Sequence, residues 1–348
     1  MLPFVAALAG CPPDLGYFRI VEAPPPPPDS GVPPVGPPAP PGQPLPPPLG
    51  TPCTLPHVLV AAANSDYDSV GRVYRLNLPD LSPCRETEVA QEHPAFGNEL
   101  LSVASVPGGA ELVGTSGAVL GLDADGFPLW RFQPEANLGY YPSRIVEVAT
   151  ESGWNLLVLG TYMGEADLLH LVSPTGFQRT MIDVSWSDDV GHIAAHPDGF
   201  GFLGAGDYGA VEAHTLSDGT TMLDRGTEVL QIPRAADGEE SFGSLLSLDV
   251  DREGRRVVYT WSRFVAQVPY DDPAAPITAF ACGAPCSSFV DATYDPTDPT
   301  SLIALCNHTE GNAVHLVRVP SDGASPCYPY LDGMLIRPFR PVDLAIIR

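Results

Sequence analysis

The sequence predicts an all-β chain: a six-bladed β-propeller closed by a split blade and preceded by a disordered proline-rich tail. Three observations carry this. A four-strand unit fills residues 100–132, the same unit recurs in later segments, and the two ends of the domain hold complementary fragments of one more unit.

The founding unit, LLSVASVPGGAELVGTSGAVLGLDADGFPLWRF (100–132), has four short apolar runs separated by PGG, TSG and DADG. Runs bounded by Gly or Asp turns read as strands a to d of an antiparallel meander, the shape of one blade. Four later segments repeat the pattern, 144–182, 191–225, 244–280 and 288–331, with turns such as ESG, HPDG, DREG and DPTDP. Their spacing lies in or near the roughly 40 to 50 residues expected of propeller blades. The sixth blade is divided. PVDLAIIR (341–348) supplies strand a alone, and HVLVAAANSDYDSVGRVYRLNLPDLSPCRETEV (57–89) supplies strands b, c and d alone. Joining them closes the ring and removes the free sheet edges of an open array.

The tail is read differently. Residues 12–52 hold 18 of the 41 prolines, including five in a row at 24–28. Proline removes backbone donors and favours polyproline II, so this stretch is a semi-rigid spacer reaching up to roughly 120 Å. The expected organisation is an apolar leader at 1–11, the spacer at 12–52 and the propeller at 53–348. The leader MLPFVAALAGC resembles the lipobox of bacterial lipoproteins, with Leu8, Ala9 and Gly10 in the matching positions before Cys11; no Lys or Arg precedes Cys11. The resemblance implies lipidation of Cys11, a membrane contact through that lipid, and a domain in the periplasm or on the cell surface.

Charge narrows the partners. There are 42 acidic residues against 17 basic, all Arg, for a formal charge of −25. No basic stripe is available to neutralise phosphates, so nucleic acid is not an expected partner. The closest cluster, Arg252, Arg255 and Arg256, falls in a tight turn. Six cysteines remain besides Cys11, an even number suited to an oxidising compartment. Cys53 and Cys84 fall on the same face of the split blade and are expected to pair. Cys282 and Cys286 share one connection, which makes a local bridge the expectation. Elimination leaves Cys306 and Cys327, which the topology puts at opposite ends of the fifth blade, so their pairing stays open.

GAVLGLDADGFPLWRF (117–132) resembles the repeat of propellers related to pyrroloquinoline-quinone dehydrogenases, roughly GxVYALDAxTGxxLWxF. GRVYRLNL (71–78) and GAVEAHTLSDG (209–219) are weaker copies. The resemblance implies a propeller and not the quinone, since those enzymes use adjacent cysteines and a calcium-binding acidic set, and Cys282 and Cys286 are not adjacent.

Function is expected on the face carrying the b–c loops and the connections between blades, which are longer and more aromatic than the terse a–b and c–d turns. Its candidate ligand-binding residues are Tyr140, Tyr141, Trp186, Asp188, Asp189, His192, Tyr208, Arg337 and Phe339. Asn64, Asp66 and Asp68 alternate oxygen ligands like a partial calcium loop, without the closing Glu. His192 and His196 do not form HExxH, and His196 is expected to serve the HPDG turn. No catalytic motif and no required cofactor is read, calcium being the one metal considered. The expected function is an envelope binding or scaffolding module for a protein or glycan. The rival is a calcium-dependent propeller enzyme, lactonase- or sugar-dehydrogenase-like. It would need converging ligands at the inner strand starts, where the sequence offers Asn98, Glu99, Ser143, Arg144, His192 and Asp343.

Overall fold

A computed structural model describes residues 49–64, 70–78, 80–90, 100–105, 111–115, 117–123, 126, 128–133, 140–162, 166–184, 190–206, 210–223, 226–232, 245–261, 264–275, 278–280, 286–308, 314–320, 328–329 and 339–347. All of them belong to one compact unit, 35–348. Among them there is no helix, and six small antiparallel sheets form a ring. The fold is a six-bladed β-propeller.

The split blade opens the chain with β1 (Leu49–Gly50), β2 (His57–Asn64), β3 (Val70–Asn77) and β4 (Pro83–Ala90). Blade one is β5 (Leu100–Ser105), β6 (Glu111–Thr115), β7 (Ala118–Leu122) and β8 (Pro128–Phe132). Blade two is β9 (Tyr140–Thr150), β10 (Gly153–Tyr162), β11 (Ala166–Val172) and β12 (Gln178–Asp183). Blade three is β13 (His192–Ala195), β14 (Phe202–Ala205), β15 (Ala210–His214) and β16 (Thr227–Gln231). Blade four is β17 (Leu245–Asp251), β18 (Arg256–Trp261), β19 (Phe264–Pro269) and β20 (Thr278–Phe280). Blade five is β21 (Cys286–Tyr294), β22 (Ser301–His308), β23 (Val314–Pro320) and β24 (Tyr328–Pro329), and β25 (Phe339–Ile347) ends the chain.

Strand β25 pairs with β2, from His57 opposite Ile347 to Asn64 opposite Phe339, so the closure expected from the two orphan fragments is present. The inner strands β25, β5, β9, β13, β17 and β21 touch in sequence around the ring. Two boundaries differ from the sequence reading. Strand pairing begins at Leu49, inside the proline-rich stretch, where β1 adds a fifth strand outside β4. The outer strand of blade three is Thr227–Gln231, which the sequence reading placed in a long loop at 226–244 after taking TTMLDR for the strand.

Packing explains the residue pattern. Each blade presses both faces on its neighbours, so the middle strands are predominantly apolar on both faces rather than alternating. Strands β6 and β7 are buried at every position. The apolar clusters lie between blades: Leu59, Val73 and Ile347 meet Val103, Val113 and Leu120, and Val148 and Leu157 meet Ile193 and Phe202. Each such side chain removed from water contributes about 1.5–3 kcal/mol.

The Cys53–Cys84 bridge forms as expected. The local Cys282–Cys286 bridge is corrected: Cys286 is bonded to Cys306, with a Cα separation of 5.5 Å. Strand β21 begins at Cys286 itself, which puts that residue in the sheet beside β22 rather than in the preceding connection. Cys282 and Cys327 lie outside the described residues.

Candidate functional site

Bulges at the inner strand starts aim side chains into the central channel. In β9, Pro142 pairs with Gly160 and Arg144 with Leu159, so Ser143 is extra. The same one-residue insertion occurs at Leu101 in β5, Leu246 in β17, Val290 in β21 and Val342 in β25. A bulge sets two consecutive residues against one partner and turns both toward one side. Accordingly Ser143 with Arg144, Leu246 with Ser247, Val290 with Asp291 and Val342 with Asp343 border one cavity of about 140 Å³ at the loop-face end, together with Gly191 and His192.

Arg144 forms the floor of this cavity. Its guanidinium crosses from blade two, donating through Nη1 to Asp343 Oδ1 at 2.5 Å and Asp291 Oδ2 at 3.4 Å, and through Nη2 to the Leu248 carbonyl at 3.1 Å. It thereby joins blade two to blades six, five and four. The carboxylates also clasp the next blade: Asp343 Oδ2 accepts from the Val103 N–H at 2.8 Å, and Asp291 Oδ2 from the Leu344 N–H at 3.1 Å. Those inner-edge amides have no sheet partner, so a carboxylate from the preceding blade satisfies them. Asp249, one layer deeper, accepts from the Thr293 hydroxyl.

The electrostatics follow from burial against pairing. Burial pushes the Asp343 carboxyl well above its ordinary value, Arg144 pulling it back and Asp291 adding to the rise. Burial likewise raises Asp249, against the pull of Arg144. Burial alone would lower the Arg144 guanidinium, but Asp343, Asp291 and Asp249 hold it above its ordinary value. Beyond this floor a second cavity of about 310 Å³ opens toward the turn face, lined by residues of all six inner strands including Asp249, Val146 and Ala345.

Of the expected ligand residues, His192 lines the loop-face cavity. Tyr141 is half-buried in β9, and the backbones of Tyr140, Phe339 and Asn64 stand in β9, β25 and β2. Trp186, Asp188, Asp189, Tyr208, Arg337, Asp66 and Asp68 lie outside the described residues, as do Asn98 and Glu99. His196 serves its turn: Nδ1 accepts from the Asp198 N–H at 3.1 Å, and Nε2 is 2.8 Å from the Tyr270 hydroxyl. The arginine cluster is divided among carboxylates, Arg252 with Glu147, Arg255 with Asp198 and Asp271, and Arg256 with Asp251. Among the described residues, no three His, Cys, Asp or Glu side chains come together as a metal site.

Sequence reasoning found Arg144 and Asp343 but missed Asp291 and Asp249. The available signal was repetition: Val290-Asp291 and Val342-Asp343 occupy the same bulge in successive inner strands.

The fold is shared with solved structures. The chain is similar to a protein of unknown function from Bacteroides caccae, at 14% identity and a TM-score of 0.54 over 85% of this chain and 100% of that one. It is also similar to a luciferin-regenerating enzyme, at 11% identity and a TM-score of 0.49 over 83% of this chain and 99% of that one. At such identities the first likeness is one of fold, and neither bears on activity. No protein-family model matches the chain, so the likeness of 117–132 to the quinone-dehydrogenase repeat stays that of one blade. No curated protein matches it in sequence.

Proposed function

We propose that the chain is a lipid-anchored propeller of the bacterial cell envelope that binds a protein or glycan on its loop face and acts as a binding or scaffolding module. The observation that carries this reading is the Arg144 floor. Small-molecule sites usually enclose about 300–1,000 Å³, whereas the loop-face cavity is about 140 Å³ and ends on a guanidinium whose hydrogen bonds go to Asp343, Asp291 and Leu248. A cavity this small suits contact through the surrounding loops rather than enclosure of a small molecule. The two disulfides among the described residues fit an oxidising compartment. The lipobox resemblance at Cys11 supplies the anchor, and the division of Arg252, Arg255 and Arg256 among carboxylates argues against a nucleic-acid partner.

The rival, a calcium-dependent propeller enzyme, is favoured by Asp249, Asp291 and Asp343 standing on three adjacent blades. Arg144 already supplies a cation to that group, which favours the binding reading. Three measurements test the proposal. Radiolabelled palmitate should enter the membrane-associated protein and be lost in Cys11→Ser, which should become soluble; an unlabelled, membrane-free wild type would remove the anchor. Elemental analysis of the purified protein should find no stoichiometric calcium, and one tightly held ion per chain would favour the enzyme instead. Labelled protein on arrays of envelope glycans then separates a glycan ligand from a protein one.

A further inference from the structure

We propose that the turn-face half of the channel is a binding site for a small organic cation, a primary ammonium on a short apolar body. This site is separate from the loop face and does not depend on the reading above. The cavity there, about 310 Å³, has the volume of roughly ten waters. Its lining includes the apolar Ala104, Val146, Ala345 and Ile346 and the polar Ser105, Thr293 and Tyr294, and Arg144 and Asp249 stand at its inner end. The hydrogen bonds of Arg144 run to Asp343, Asp291 and the Leu248 carbonyl. Asp249 instead accepts from the Thr293 hydroxyl and the Val250 amide. A carboxylate has about four lone-pair sites, so Asp249 keeps acceptor capacity toward the cavity.

Charge selects the class of ligand. At the inner end Asp249 stands beside Arg144, whose guanidinium is hydrogen-bonded on its far side to Asp343 and Asp291. At the rim Glu147 and Arg252 cancel each other at 3.4 Å. An anion finds both Arg144 and Arg252 already paired with carboxylates. A calcium ion needs six to eight oxygens, and among the described residues no three acidic, histidine or cysteine side chains come together as a metal site. A neutral polyol would leave the Asp249 carboxylate without a counter-charge, whereas an alkylammonium places its head on Asp249 and its chain along Val146 and Ala345.

The test titrates the full-length protein with n-butylammonium chloride by calorimetry, with 1-butanol, sodium butyrate and calcium chloride as comparisons. Saturable one-to-one binding of the ammonium alone is expected, weakened at least about tenfold, or about 1.4 kcal/mol, in Asp249→Asn. Ala345→Leu fills the cavity without changing charge and should weaken binding comparably, so it decides the matter if Asp249→Asn fails to fold. No saturation at about 10 mM, ten times a Kd of about 1 mM, would overturn the site. So would wild-type affinity in a folded Asp249→Asn or Ala345→Leu protein, or equal binding of butanol, butyrate or calcium.

Discussion

Arg144 holds one positive charge among three buried or half-buried carboxyls, and removing it leaves those groups without their counter-ion. Breaking a buried pair from one side costs about 3–5 kcal/mol, so Arg144→Met is expected to lower unfolding free energy by that order in urea titrations, with part restored in Arg144→Met/Asp343→Asn. The pH dependence has a definite sign. Burial raises Asp343 in the folded state, so the folded protein holds that proton more tightly than the unfolded chain, whose pKa is about 3.9. Stability from this group is complete at low pH and falls as pH rises through the raised value. Without Arg144 the carboxyl rises further, and Arg144→Met should therefore lose more stability at pH 8 than at pH 4. An equal loss at both would sink the account. His170 works in the opposite direction. Burial beside Phe132, with ring centroids 5.4 Å apart, pushes it down to about 4. The unfolded chain then takes up a proton that the folded one refuses, and stability falls as pH drops from about 6.5 toward 4, by about 2–3 kcal/mol at the lower end. His170→Leu should flatten the urea midpoint across that range; an unchanged slope would show that other groups carry it.

At the scale of elements, strands and turns were legible because their signals are local. ESG, HPDG and DREG follow strands where the chain reverses, and the middle strands of blade one are buried throughout because both faces are covered. Strand β16 was misplaced for a related reason: TTMLDR and TEVLQ are comparable candidates, and only pairing with β15 chooses between them. The disulfides show the same limit. Cys53–Cys84 could be read from two strands known to share a blade, whereas Cys286–Cys306 depended on where β21 starts. Cys53–Cys84 closes a separation of 31 residues and ties the approach to β2 onto β4. Replacing both by Ser should cost about 2–4 kcal/mol, read as a lower denaturation midpoint in oxidising buffer and no difference from wild type under reductant. A midpoint equal to wild type in both buffers would show that the strand pairing alone holds this edge.

On the scale of the whole molecule, β25 is the closing element, placing the end of the described chain against β2 and its Asp343 into the channel floor. Deleting residues 339–348 should therefore do more than remove one strand. It exposes the β2 edge, withdraws the main partner of Arg144, and is expected to give an aggregating or dimeric product by edge pairing, visible in light scattering. A soluble, cooperatively unfolding monomer would mean the ring does not need its latch. The sequence by itself determined the number of blades and the split closure, because a repeated period and complementary end fragments are properties of the chain alone. It also determined the acidic balance, which withholds the positive charge that phosphate binding needs. Only the tertiary structure decided that Arg144 spans the channel to Asp343 and Asp291, that Asp249 is left facing a second cavity, and that Cys286 meets Cys306. Those relations join residues up to 199 positions apart, and which of them meet depends on bulge position and ring geometry that no local pattern records.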